Sequence, residues 1–304
     1  MYDMIVVGGG PAGMTAALYA RRNGKTVLVL EKTGFGGQIT HSPKVENYPG
    51  FGSVSGNELA ERLLDQILSQ GAEIELENVI SVENLGDHKA VHTEEGNVFE
   101  GRTVILATGV KHRMLGLDRE QELIGEGISF CAVCDGEFYA GKRVCVAGGG
   151  NSALQEAILL SEQCSEVIIL QDLPVLTGEI SLQEVLARRD NVTVRTGVRI
   201  TGLDCDQGVL TGVYVRPEGS ETPECVPCDG LFEAIGLIPE NERFSNLAVL
   251  DHAGYFEADE SCTTRTAGIY VAGDCRSKRI RQITTATADG AIAALAACRE
   301  LERI

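Results

Sequence analysis

Apolar positions in this chain fall in short unbroken runs, set off by glycine turns and by stretches with helical spacing. The run Met4-Ile5-Val6-Val7 enters Gly8-Gly9-Gly10-Pro11-Ala12-Gly13, after which Ala16, Ala17, Leu18 and Ala20 carry helical character. Lys25 to Leu30 is a second run and ends on Glu31. Runs of this length bounded by glycine predict buried strands, so the segment reads strand, tight turn, helix, strand, acid. The same unit recurs. Val144-Cys145-Val146-Ala147 leads into Gly148-Gly149-Gly150-Asn151-Ser152-Ala153, a helical stretch follows from Leu154 to Leu160, and Glu166 to Leu170 closes it. Each copy has a later apolar partner, Val104-Ile105-Leu106-Ala107-Thr108-Gly109 for the first and Leu231-Phe232-Glu233-Ala234-Ile235-Gly236 for the second.

Two copies of one α/β layout predict two doubly wound, three-layer dinucleotide-binding domains; the alternative is one larger sheet with a chance glycine turn. A further strand over 268–273 and an Ala-rich helix over 283–301 carry no glycine fingerprint of their own and are expected to complete the first domain. The second domain is then an insertion in the first. Residues 1–113 with 245–304 form the outer domain and 114–244 the inserted one, with crossings near His112–Gly116 and Glu242–Asn246.

A strand that opens through Gly-x-Gly-x-x-Gly into a helix is the context a dinucleotide needs. Gly8 makes the tight turn, Gly10 lets a pyrophosphate approach the backbone, and Gly13 allows helix to pack on strand. Pro11 and Ala12 begin the helix whose free N–H groups face the phosphates. Glu31 is placed to accept hydrogen bonds from the adenosine ribose.

Composition narrows the partners. With 26 Lys plus Arg against 44 Asp plus Glu, the net charge is -18 over 304 residues. That balance disfavours nucleic acid and anionic membranes. No apolar run approaches the roughly 20 residues of a membrane helix, and a cytoplasmic protein is expected. Ten cysteines in such a protein do not make a disulfide framework. Cys145, Cys164, Cys205, Cys262, Cys275 and Cys298 stand singly and are expected to pack. Cys131 and Cys134, in Cys131-Ala132-Val133-Cys134-Asp135-Gly136, have the spacing of a small redox disulfide beside a βαβ unit. Asp135 could give or take a proton during thiol exchange. Cys225 and Cys228 repeat the same pattern, which leaves open a four-cysteine zinc site, an auxiliary redox pair, or two thiols on a solvated turn.

The order and spacing of Gly8–Gly13, Gly36-Gly37-Gln38, Val45-Glu46-Asn47-Tyr48-Pro49-Gly50, Ala107-Thr108-Gly109, the Cys131–Gly136 motif, and Gly273-Asp274 followed by Arg281-Gln282 carry a resemblance over essentially the whole chain. The chain resembles the low-molecular-weight, bacterial-type thioredoxin reductases. The resemblance implies a homodimer whose outer domain holds FAD through Gly10, Glu31, Gln38, Asn47, Asp274, Arg281 and Gln282. It implies an inserted domain that binds a nicotinamide nucleotide and carries the redox cysteines. Cys134 then takes electrons from FAD first, and Cys131 attacks the disulfide of a thioredoxin-like protein. The competing classes are a peroxiredoxin-linked flavoprotein and a non-catalytic flavin- or zinc-binding redox sensor.

One segment departs from the family pattern. After the strand Glu166–Leu170 the family carries an arginine-rich stretch for the 2′-phosphate of NADPH. Here Gln171-Asp172-Leu173-Pro174-Val175-Leu176-Thr177 holds no Lys or Arg. Gln171 stands as far beyond Gly148 as Glu31 beyond Gly8, so it fills the ribose slot of a second turn made by Gly148, Gly150, Asn151, Ser152 and Ala153. Its amide suits a free 2′-hydroxyl, and Asp172 repels a phosphate. NADH is therefore expected over NADPH, or else a vestigial site with electrons arriving from a protein such as ferredoxin. The basic cluster Arg276, Lys278, Arg279 and Arg281 either docks such an acidic donor or is a solvated turn.

Overall fold

The computed structural model describes residues 1–42 and 44–302. Its layering follows from alternation along the strands. β1 (Tyr2–Val7) sends Met4 and Val6 to one face of a sheet and Ile5 and Val7 to the other, and both faces are covered. A strand buried on both sides has no polar positions to alternate, which is why the run is unbroken in sequence.

The chain continues through α1 (Pro11–Arg22), β2 (Val27–Leu30), α2 (Gly56–Ser69), β3 (Glu73–Glu75), β4 (Val79–Asn84), β5 (Lys89–Thr93) and β6 (Val98–Leu106). β3, β2, β1 and the second half of β6 pair in parallel, while the first half of β6 pairs antiparallel with β5, and β5 with β4. β7 (Lys111–His112) then leads into the inserted unit. There β8 (Ile128–Ser129), α3 (Ala132–Asp135), β9 (Arg143–Ala147), α4 (Asn151–Ser161), β10 (Glu166–Gln171), α5 (Ile180–Leu186) and β11 (Val192–Thr196) precede β12 (Val198–Asp206), β13 (Val209–Pro217), β14 (Glu224–Pro227) and β15 (Gly230–Glu233). The parallel order is β11-β10-β9-β15-β8, with β12-β13-β14 as a separate antiparallel sheet. On β9 the alternation of β1 repeats: Val144 and Val146 join the core that includes α4, and Cys145 and Ala147 the core under β12 and β13. β16 (Leu237–Ile238) pairs with β7, and the chain returns to close the first sheet with β17 (Ile269–Val271) beside β6. α6 (Ile283–Leu301) spans the predicted helix and packs on α1.

The two units are Met1–Lys111 with Ile238–Ile304, and His112–Leu237. The return crossing thus lies earlier in the chain than Glu242–Asn246. Asn241 explains this: it is fully buried in the outer unit, and its amide donates to Gly254 O and Cys275 O at 2.9 Å each. Thr108 Oγ1 donates to its Oδ1 at 2.8 Å.

Candidate active site

In the outer unit the first glycine turn is forced by contact. Gly8 has φ +112°, and a Cβ there would lie 2.3 Å from Ala107 O; a Cβ on Gly13 would lie 1.9 Å from Gly8 O. Only glycine fits either position. The turn delivers the chain to Pro11 at the start of α1, with Gly10 as an extended N-cap that has no side chain over the helix end. Open N–H groups there suit phosphate oxygens. Glu31 is buried at the end of β2, where it accepts from Gly9 N at 2.7 Å and Thr33 N at 3.1 Å. Gly37 and Gln38 lie in a short 3-10 turn that approaches Gly10, and Asn47 Nδ2 donates to Gln282 Oε1, 3.2 Å away at the cap of α6. Ala107 N donates to Val7 O at 2.8 Å, which sets Ala107-Thr108-Gly109 against the turn. Gly273 comes close to Ala12. Next to it, Asp274 buries Oδ1 with no partner, and burial pushes its carboxyl up to about 6, opposed by Lys278 and Arg281. Arg281 Nε donates to Asp274 O at 3.2 Å, and its guanidinium lies 4.2 Å over the Tyr255 ring. An open helix end beside an orphaned acceptor fits a dinucleotide that brings both phosphates and hydroxyl donors.

In the inserted unit Cys131 and Cys134 are disulfide-bonded, with Cα atoms 5.3 Å apart. Cys131 caps the one-turn helix α3, and its Sγ accepts from Cys134 N at 3.2 Å. Cys131 N donates to Ser129 Oγ at 3.1 Å, and Ser129 Oγ donates to Asp135 Oδ2 at 2.7 Å. Asp135 Oδ1 is buried without a partner, and burial raises its pKa against the Ser129 hydrogen bond. Glu156 on α4 also leaves a buried oxygen unpaired; burial, then the charge of Asp135, pushes it up to about 8. Ser129 and Glu156 are not legible in the sequence, because neither belongs to the CxxC pattern and burial is not written in spacing. Val133, between the two cysteines, is 59% exposed, and both cysteines are half-buried.

The second glycine turn borders a groove of about 1040 Å³ in the same unit. Gly148 repeats the geometry of Gly8, with φ +118° and a virtual Cβ 2.6 Å from Ala234 O. Gly150, Asn151 and Ser152 line the groove, and Ala153 is buried beneath it. Gln171 is buried at its edge, and its Nε2 reaches Val175 O only at 3.4 Å. Asp172 lines the groove too, along with Arg113, Arg199 and Arg216. The sequence leaves room for an arginine from outside the loop after β10 but does not say which, because these three come from distant strands and a crossing.

The basic cluster near Asp274 is partly neutralised within the chain. Arg276 and Lys278 are turned inward onto Asp289, at 3.0 and 2.9 Å, and only Arg279 of the four is exposed. Cys225 is exposed and Cys228 buried, and they are not bonded to each other. Cys228 instead hydrogen-bonds Cys145, which with burial pushes the Cys145 thiol well up. Among the described residues no group of three or more His, Cys, Asp or Glu is arranged to hold a metal ion, and no helix is long and apolar enough to cross a membrane.

Residues 2–290 match the model of the family described as pyridine nucleotide-disulphide oxidoreductase. The chain is 36% identical over 304 residues to a thioredoxin reductase of Listeria monocytogenes, covering 100% of this chain and 95% of that protein. It is 36% identical over 294 residues to the thioredoxin reductase of Bacillus subtilis, covering 97% and 93%. The solved structure of a thioredoxin reductase from Streptococcus pyogenes matches with a TM-score of 0.94 at 35% identity, over 100% of this chain and 99% of that one.

Proposed function

The chain belongs to the pyridine nucleotide-disulphide oxidoreductase family, as a flavoprotein disulfide reductase of the thioredoxin-reductase type, and from that premise we propose how its residues share the work. Gly8, Gly10, Gly13 and the start of α1 would hold the pyrophosphate of FAD, Glu31 its adenosine ribose, and Asp274, whose Oδ1 lacks a partner, one of its hydroxyl donors. Gly37, Gln38, Asn47, Thr108, Gly109, Arg281 and Gln282 complete that cradle. FAD, when bound there, would supply the electron pair needed to reduce the Cys131–Cys134 disulfide.

The remaining steps belong to the chain. Cys131, as thiolate, attacks one sulfur of a thioredoxin-like protein's disulfide; a mixed disulfide forms and the other partner sulfur leaves as thiolate. Cys134 then attacks Cys131 Sγ, which restores the Cys131–Cys134 bond and releases the second partner thiolate. Asp135, held by Ser129 and raised by burial, passes protons to and from these sulfurs. The observation that carries this reading is the Cys131–Cys134 disulfide bound, through Ser129, to a half-satisfied buried carboxyl.

The groove of the inserted unit would hold a pyridine nucleotide, with Gly148–Ser152 for its phosphates and Gln171 for its ribose. A homodimer is part of the same proposal and rests on the motif resemblance, and a cytoplasmic location rests on the charge balance and the short apolar runs. The test is anaerobic: the holoenzyme, reduced by pyridine nucleotide, is mixed with oxidised thioredoxin. Two new thiols per reduced flavin are expected. Bleaching of the flavin with no thiol release would exclude the protein-disulfide reading.

A further inference from the structure

The loop after β10 holds no cation, yet the groove beside it is cationic. Arg199 on β12 and Arg216 on β13 are in direct register, so they share one face of the hairpin, and both are exposed. Both line the groove that Gln171 and Asp172 edge. Backbone bonds tie them to the ribose slot. Gln171 pairs with Thr196, Gly197 N donates to Leu173 O at 2.8 Å, and β12 starts at the next residue. Glu218 N donates to Gly197 O at 2.7 Å, which holds the end of β13 at the same place.

Like charges directly opposite on neighbouring strands repel each other. Such pairs are ordinarily relieved by a carboxylate, but neither guanidinium makes an ion pair or hydrogen bond among the described residues. Asp172 and Glu218 are near in the chain path and engage neither. The pair is thus two uncommitted forks of donors aimed at a shared space, a geometry that suits a phosphate dianion. In a nucleotide bound at a glycine fingerprint, the ribose 2′ position faces the end of the second strand, here Gln171, while the pyrophosphate stays at the helix end.

We infer that Arg199 and Arg216 form a clamp for the 2′-phosphate of NADPH, built on the β12–β13 hairpin in place of the loop at 171–177. The inference rests on the reductase reading, because it needs a nicotinamide nucleotide in this groove. Two guanidinium groups outweigh the single carboxylate of Asp172, so the phosphate is favoured, and Asp172 limits by how much. The donor preference expected from the loop alone is reversed.

Calorimetric titration of the holoenzyme with 2′,5′-ADP and with 5′-AMP isolates this phosphate. Binding of 2′,5′-ADP about tenfold tighter than 5′-AMP is expected. In Arg199→Gln/Arg216→Gln the ratio falls to about one with 5′-AMP affinity unchanged, and in Asp172→Asn it widens. Equal affinity in the unmodified protein, absence of binding by either ligand, or a loss in the double variant that falls equally on both would overturn the clamp. Thioredoxin reduction by dithionite-reduced holoenzyme tests the reductase reading separately. If it fails while the 2′,5′-ADP preference stands, the reaction is misassigned and the clamp is not.

Discussion

The outer and inserted units share a parallel trio of strands, β3-β2-β1 and β11-β10-β9, and one glycine turn, yet they treat their polar groups in opposite ways. In the outer unit the slot after β2 holds Glu31, already bonded to Gly9 N, and the cations Arg276 and Lys278, which follow the Gly273–Asp274 turn, are committed to Asp289. In the inserted unit the same slot holds a neutral Gln171 with one long contact, and Arg199 and Arg216 are uncommitted. A site whose groups are fixed before the ligand arrives loses little freedom on binding. That suits a cofactor which stays. A site with loose side chains and an open groove orders them anew at each encounter, which suits a substrate that comes and goes. The fold alone does not set how long a ligand resides; the prior engagements of its side chains do.

The contrast can be broken most severely at the step where the two sites meet in function. Cys131→Ser and Cys134→Ser are each expected to lower thioredoxin reduction by roughly a thousandfold or more while FAD stays bound and reducible. Full activity in either variant, in a steady-state assay, would remove the dithiol from the mechanism. The next effect separates the units. Asp274→Ala is expected to weaken FAD retention about tenfold, read as flavin absorbance per chain after dialysis, whereas Gln171→Ala leaves flavin content alone. Equal flavin loss in both would show that the sites are not specialised.

A third prediction uses pH. Burial, together with Glu120, pushes Glu233 up to about 9, and burial pushes Glu156 up to about 8; both lie in the inserted unit. Their folded pKa values exceed those of unfolded glutamate. The stability they contribute is therefore complete in acid and is lost as pH rises, through about 8 and then about 9. Asp274 brings the corresponding loss in the outer unit at about 6. Thermal unfolding of the inserted unit is expected to fall by several degrees between neutral pH and pH of about 10, and Glu233→Gln to flatten that fall. An unchanged slope in Glu233→Gln would mean that Glu233 is not the titrating group. The smallest effect belongs to the second CxxC. Cys225→Ser/Cys228→Ser is expected to keep turnover within about twofold, with any cost appearing as a lower melting temperature because Cys228 is buried. A collapse of activity would make that pair part of the electron path.

What could be read from the chain was local. The turns at Gly8 and Gly148 announce themselves because each needs a residue without a Cβ, and the unbroken runs of β1 and β9 do so because both faces are covered. The Cys131–Cys134 spacing carries its own closure geometry. What could not be read depends on chain paths that bring distant residues together. Arg199 and Arg216 reach the groove only because β12 begins beside the loop that Gln171 opens. Arg276 and Lys278 look like a basic surface in sequence, and Asp289, on a later helix, takes them both out of solvent. Ser129 gains its place from a hydrogen bond to Asp135, and Glu233 its raised pKa from burial and from Glu120, whose carboxylate already holds the N–H groups of Leu115, Gly116 and Leu117. The return crossing moved earlier because Asn241 is pinned by three hydrogen bonds that no periodicity foretells.

The ribbon of β7 and β16 has a consequence for how such a chain can be remade. Both crossings run through one pair of two-residue strands, so the inserted segment enters and leaves its host at neighbouring points. An insertion of that kind can be lengthened, exchanged or excised with little disturbance to the sheet that carries it, since the host needs only a short bridge from Lys111 to Ile238. In evolutionary terms the outer unit is a socket and the inserted unit a cartridge. The groove of the inserted unit can then change by replacing one contiguous piece of gene, while the outer unit, assembled from both ends of the chain, is inherited untouched.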